Sequence, residues 1–433
     1  MFTRREILGQ SARALLLVPA MNLRLGRLSS ENQGLSLAAR PAPQVSDDEF
    51  LDELQRALFL FFWEQVGPTS GQVKNRALAT GNDTRTVSSI AATGFGLTAL
   101  CIGHKRGYGD PSQIQARVTT TLSFLLNRLP TVNGFFYHFI DMNTGARVWN
   151  CEVSSIDTSL LLCGVLTCRQ YFQDAQIRSM ASEIYNRVNW QWMLNGGQTF
   201  SMGWTPEKNF ISARWNKYSE LMMIYLLGIG STTDPVPASS WEAFARPSST
   251  YQGLTYITGR TPLFVHQYSH AWYDFRNRQD KYADYFNNSV TATKAHKLFC
   301  LSLEPEFKDY EENLWGITAS DSAKGYTAWG GPPVIGQIDG SVVPCAAGGS
   351  LPFVPADCIA VLRKIRVQYP QAWQRYGFVD AFNPLTNWYS PDVIGIDVGI
   401  TMLMAENQRS SFVWNTFMAN PEAESSFRAV GLK

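Results

Sequence analysis

The sequence predicts an all-α protein: a single (α/α)6 barrel with short β pieces in its loops. Three observations predict it. Six segments are apolar or small on nearly every face: 87–102, 154–166, 218–229, 266–275, 355–365 and 396–405. A helix without a polar face is buried on all sides. Between these segments lie amphipathic candidates, and period-two strand patterns are scarce. Buried helices alternating with half-buried ones describe an inner ring covered by an outer ring. An irregular two-domain helical chain is the alternative.

Taken in order, residues 1–45 read as an address and a linker. Thr3-Arg4-Arg5-Glu6-Ile7-Leu8 resembles a twin-arginine export signal. The apolar stretch after it, 14–20, is too short to span a bilayer. The protein is therefore expected to be periplasmic or secreted, with no membrane span, and its folded domain to run over 46–433. The amphipathic candidates are 47–65, 113–128, 175–195, 240–244, 281–301 and a C-terminal pair around Ala372 and Val413. Residues 135–139 and 199–204 are candidate extended pieces.

Composition excludes several functions. The formal net charge is +1, so no basic surface calls for nucleic acid. Seven Cys and five His form no CxxC pair and no HExxH, so neither a zinc site nor a dense disulfide framework is expected. No P-loop, GxGxxG or GxSxG stands in a suitable context. No cofactor and no metal are expected, and the chain is expected to act as a monomer. Aromatics are abundant, with 13 Trp, 17 Tyr and 25 Phe. Many stand beside acids in loops rich in Gly, Pro and Asn, where sugar stacking is an alternative to core packing.

Every buried segment begins with polar residues. Capping explains any one of them, because Ser, Thr and Asp satisfy orphan N–H groups and acids favour the positive helix end. Six together, on parallel inner helices, would collect polar groups at one mouth. The densest stretch is 133–159, with His138, Asp141, Arg147, Trp149, Glu152 and Asp157. Glycosidic cleavage needs two carboxyl groups in different protonation states. Glu220 precedes the apolar run 221–227, where desolvation would raise its pKa as a general acid requires. The helix dipole opposes that shift. Asp157, among hydroxyls on a first helical turn, would stay ionised as a base. Glu152 lies five residues earlier, on another face, and could exchange roles with it. The expected catalytic set is Glu220, Asp157, Glu152 and Asp141. The expected substrate-binding set is His138, Trp149, Tyr268, His270, Asp274, Arg276, Trp315, Asp321, Tyr326, Trp388 and Asp397. Asp274 and Arg276 equally fit a structural ion pair.

The motifs GFFYHFID, WNCEVSSIDTSLLLCG, YSELMMIYLLGIGS, FVHQYSHAWYDFRNRQDKYADYFNNS, NLWGITASD, GYTAWGGPP, YGFVDAFNP and IDVGITMLMAEN recur in an order that resembles the glycoamylase-like domain of glycoside hydrolase family 144. Related domains occur in cyclic β-1,2-glucan synthases. The resemblance runs from about Asp48 to Gly431. It implies an (α/α)6 barrel and an inverting enzyme on β-1,2-glucan, either endo-acting or releasing sophorose from chain ends. The matching carboxylates are Asp141, Glu152, Asp157 and Glu220. Cys151 and Asn277 depart from the pattern at motif edges, which bears on subsites. A β-1,2-glucan transglycosylase is the first alternative. A polysaccharide lyase using Tyr268, His270 and Arg276 is the second, and a non-catalytic sugar-binding protein the third.

Overall fold

Local signals in the sequence start the amphipathic helices. The computed structural model describes residues 45–259 and 262–433; the export-signal reading falls on residues outside this range. The helices are α1 (Asp47–Glu64), α2 (Ile90–Arg106), α3 (Pro111–Asn127), α4 (Ser155–Tyr171), α5 (Ala175–Asn186), α6 (Trp190–Leu194), α7 (Met222–Gly230), α8 (Tyr285–Ser302), α9 (Pro344–Gly348), α10 (Pro355–Gln368), α11 (Gly395–Ser410), α12 (Phe412–Met418) and α13 (Pro421–Ala429). Ser46 and Glu49 form a capping box at α1, each side chain accepting the other's backbone N–H. Asp110 caps α3, which opens on Pro111, and Asp174 and Asp284 cap α5 and α8. All four helices show buried and exposed residues in alternation around their faces.

The buried layer lies beneath them. In α2 every residue from Ile90 to Gly103 is buried, and α4 and α11 are buried over comparable lengths. The protein is thus predominantly helical, with inner helices covered by amphipathic ones. Helix α2 packs on α4 and α11, α4 on α7, and α11 on α9; α1 covers α11 and α2, and α13 covers α7. At its far end α4 is tied to the C-terminus by Arg169, which donates to Asn420 and Glu422 in a buried network.

A short strand stands immediately before three of the buried helices, and each pairs antiparallel with a neighbouring segment. Val87–Ser89 pairs with Phe139–Asp141, Val153–Ser154 with Gly203–Thr205, and Asp392–Ile394 with Arg76–Leu78. These pairs pin the starts of α2, α4 and α11 to the loops that carry the polar motifs.

Two buried segments differ from expectation. Residues 266–275 are buried but form 3-10 turns, Leu263–His266 and Ser269–Ala271, rather than an α-helix. An all-round apolar pattern reports burial, not the backbone that achieves it. Residues 355–365 lie in α10, which has a partly exposed face, while the fully buried helix is the short α9 before it. Of the candidate 240–244, residues 240–242 fall in a 3-10 turn, Ala238–Glu242, rather than an α-helix. No helix among the described residues is long and apolar enough to cross a membrane.

Candidate active site

The starts of the buried helices are joined by a closed circuit of contacts. The Ile90 amide at the start of α2 donates to the carbonyl of His138. The His138 ring reaches Asp157 in the first turn of α4. Ser155, the first residue of α4, accepts from Trp215 Nε1 at 2.8 Å. Five residues beyond Trp215, Glu220 begins the approach to α7. Ser269 Oγ accepts from the Met223 amide and donates to the Glu220 carbonyl. Next to it, the Tyr268 hydroxyl lies 3.5 Å from Asp397 Oδ1 in the first turn of α11. Arg76 pairs in register with Ile394, just before α11, and the Asn75 amide donates to Val87, just before α2. The circuit returns to its beginning.

Capping accounts for only part of this polar ring. Ser89 and Ser154 cap α2 and α4 with their side chains. Helices α7 and α11 take no cap bond from their own N-cap side chains, Leu221 and Ile394. Glu220 and Asp397 are each 4% exposed at these starts. Ser269 takes the Met223 amide in the first turn of α7, so the acid there is not needed as a cap, and burying it carries a desolvation cost.

Within the circuit, His138 sits between two carboxylates. Its Nδ1 is 3.0 Å from Glu152 Oε1 and its Nε2 is 3.4 Å from Asp157 Oδ1. The Nδ1 contact is a hydrogen bond, and the Nε2 contact brings the ring within ion-pair distance of Asp157. Ser154 Oγ donates to Asp157 Oδ2 at 2.5 Å. A metal ion could be held by one atom from each of His138, Glu152 and Asp157, which lie within 4.8 Å of one another. The same three groups lie close enough to one another to pass a proton between them. The loop alongside is braced by Arg147, which donates to the carbonyls of Asn150 and Cys151 and pairs with Glu207. It displays Trp149, 53% exposed, edge-on to Phe139.

A second charged group completes the rim. Arg76 binds Asp321 through both terminal nitrogens at 3.1 Å and reaches Asp392 at 3.2 Å. Arg85 bridges Asp392 and Asp83. Burial opposes charge on Asp83, but the Arg85 guanidinium and the Leu78 and Arg85 amides outweigh it and hold the carboxyl at about 2. A folded-state value below the ordinary 3.8 stabilises the fold above that pH, and the contribution disappears as pH falls from about 4 through 2. Asp83→Asn is therefore expected to lower the urea midpoint at pH 7, with the deficit closing in that acid window. An unchanged deficit at low pH would contradict this assignment. The Arg76 and Arg85 network was missed in the sequence, although the charged run between Lys74 and Arg85 was its available signal.

Several expected site residues lie elsewhere. Asp141 is a turn anchor: the Thr86 hydroxyl and the amides of Thr144 and Asn143 donate to it and hold its pKa below the usual range. His270 is fully buried among Phe275, Phe286 and Phe353, and burial pushes it down to about 3. Trp315 is fully buried against His296. Asp274 and Arg276 pair with each other, and Arg276 donates to Ser411 and stacks on Trp414. Ser411 ends α11, about 21 Å along the helix from Asp397. Asp141, His270, Trp315, Asp274 and Arg276 are thus corrected to structural roles. The lyase alternative thereby loses His270 and Arg276. Tyr326 and Trp388 are half-buried, the latter on the hairpin that leads to Ser390, which donates to Asp321. His138, Tyr268, Asp321 and Asp397 remain in the rim.

A layer of buried helices with acids and aromatics at their linked starts makes this a predominantly helical domain. Residues 212–421 match the glycoamylase family model. The chain is 28% identical over 443 aligned residues to an exo β-1,2-glucooligosaccharide sophorohydrolase (non-reducing end) of Parabacteroides distasonis, covering 93% of this chain. It spans 60% of the length of that curated relative. An endo-β-1,2-glucanase from Chitinophaga pinensis, solved with sophorotriose and glucose, is similar at a TM-score of 0.82 and 27% identity, over 90% of this chain and 99% of that one. A β-1,2-glucanase from Parabacteroides distasonis is similar at 0.83 and 27%, over 90% and 60%. These likenesses agree with the resemblance carried by the motifs.

Proposed function

We propose that this protein is a glycoside hydrolase that cleaves β-1,2-glucan with inversion, on an (α/α)6 barrel. The observation that supports this reading is the chain of contacts between helix starts, which links Glu220, the His138–Glu152–Asp157 trio and Asp397. Glu220 is the general acid. Its carboxyl is 4% exposed before the apolar α7, an environment that favours the protonated form. Asp157 is the base that activates water, kept ionised by Ser154 and by the N-terminus of α4. His138 holds Asp157 and Glu152 in register and takes up the proton that their shared charge demands.

Trp149 is the sugar platform at the edge of the rim. Trp149 and Asn150 have φ of 55° and 48°, a left-handed backbone that a bulky residue adopts at a cost. That strain is supported by Arg147 and turns an indole face to solvent. Trp149→Ala is expected to raise KM up to about tenfold with kcat little changed, the size of one aromatic contact. A fall in kcat without a KM effect would remove Trp149 from substrate binding.

Linear β-1,2-glucan with product anomers followed by NMR tests the reading. Inversion at a β linkage requires the α-anomer to appear first. A β-anomer first would overturn inversion, and no cleavage would overturn the activity. Transfer to added acceptor in place of hydrolysis would favour the transglycosylase. Export through the Arg4-Arg5 signal and a monomeric state in the periplasm or medium complete the proposal; fractionation and size-exclusion of the full chain check both.

A further inference from the structure

Asp397 shares a cavity with a second carboxyl group that the proposed reaction does not use. Asp380 is 4% exposed. Its Oδ2 accepts the Asp321 amide at 2.6 Å, and its Oδ1 has no hydrogen-bond partner among the described residues. Asp380 and Asp397 line one cavity of about 20 Å³, walled by Leu58, Cys345, Val398 and Thr401. That volume has room for about one water molecule.

The neighbouring cations are committed elsewhere. Arg76 is shared between Asp321 and Asp392, and Arg85 between Asp392 and Asp83. No ion pair reaches Asp380 among the described residues. The charged groups that face it are Asp321, Asp397 and, less closely, Arg76; Asp392 adds its carbonyl, which accepts the Asp380 amide. Burial first, then Asp321 and Asp397, push the Asp380 carboxyl well above the ordinary range. An ionised Asp380 would bury a bare oxygen beside two other carboxylates. A proton on Oδ1 removes that charge and converts the orphan oxygen into a donor.

We propose that Asp380 is a positioning residue whose carboxylic O–H, on Oδ1, is donated to Asp397 through a water held in the cavity that they share. The donated bond orients the Asp397 carboxylate towards the rim and keeps it ionised while the reaction runs. It does not require Asp380 to touch substrate. This inference rests on the glucanase reading only for its kinetic arm.

Asp380→Asn and Asp380→Leu test it. Asparagine can still donate from the Oδ1 position; leucine cannot. On linear β-1,2-glucan, Asp380→Asn is expected to retain kcat/KM within about threefold, and Asp380→Leu to lose about 10- to 100-fold, the worth of a hydrogen bond to a charged group. Without its donor Asp397 holds a proton more tightly, so the acid limb of the Asp380→Leu pH profile should move to higher pH. Equal loss in both variants, or an unmoved limb, would overturn the proposal. Infrared difference spectra of the wild-type protein and Asp380→Asn give a readout independent of turnover. A protonated-carboxyl C=O band at neutral pH that vanishes in Asp380→Asn supports the assignment; its absence from the wild type overturns it. If the wild type cleaves no glucan, the infrared band still decides the protonation of Asp380.

Discussion

Glu220→Gln is expected to lower kcat on linear β-1,2-glucan by about 10²- to 10⁴-fold, the usual contribution of a positioned general acid. The fold should be unaffected. Glutamine keeps the side-chain volume, and the hydrogen bond that ties this residue to Ser269 uses the backbone carbonyl. A diagnostic separates acid catalysis from binding. A β-sophoroside with a dinitrophenyl leaving group needs no protonation to depart, so Glu220→Gln should retain most of its activity on that substrate. Loss on both substrates would move the acid role to another rim carboxyl. Activity preserved on glucan would remove Glu220 from catalysis altogether.

Gly164→Val is expected to destabilise the fold by about 3 kcal/mol or more, at the upper end of overpacking costs. Helices α2 and α4 meet backbone to backbone. A Cβ added at Gly164 would stand 2.8 Å from Gly94 Cα, and one added at Gly94 would stand 2.6 Å from Leu161 Cα. Neither neighbour is a flexible side chain that could swing away. Glycine in a helix interior costs about 1 kcal/mol in propensity relative to alanine. Its presence at both facing positions is therefore a packing requirement. The consequence extends to the rim, because α2 begins on the His138 carbonyl and α4 carries Asp157 in its first turn. Urea unfolding measures the loss directly. A variant as stable as the parent would contradict the interhelical contact.

The readable parts of the chain are those with local causes. Ser46 with Glu49, and Asp110 with Pro111, mark helix starts through bonds that close within three residues. The stretch 133–159 could be picked out as a site because its chemistry is short-range: His138 meets Glu152 only 14 residues away. The same local density misplaced Asp141, since a carboxylate that caps its own turn looks, in sequence, like one that faces a substrate. His270 and Trp315 were misread for a related reason. Polar and aromatic residues beside an acid-rich motif were assigned to the cleft, yet fully buried positions lie within both motifs.

What the sequence determined by itself is the helical class, the alternation of buried and half-buried segments and the inventory of carboxyl groups. Those follow from side-chain polarity and from bonds between near neighbours. Tertiary structure alone decided that 266–275 is buried as 3-10 turns, and that the short α9 takes the buried place expected of 355–365. It also decided that Arg76 meets Asp321 and Asp392 across 245 and 316 residues, and that Asp380 and Asp397 share one cavity. Hydrophobic burial is non-directional, so it declares which segments go inside without naming their neighbours. The charge on a rim carboxyl depends on those neighbours, and they are set only when the helix starts close into one circuit.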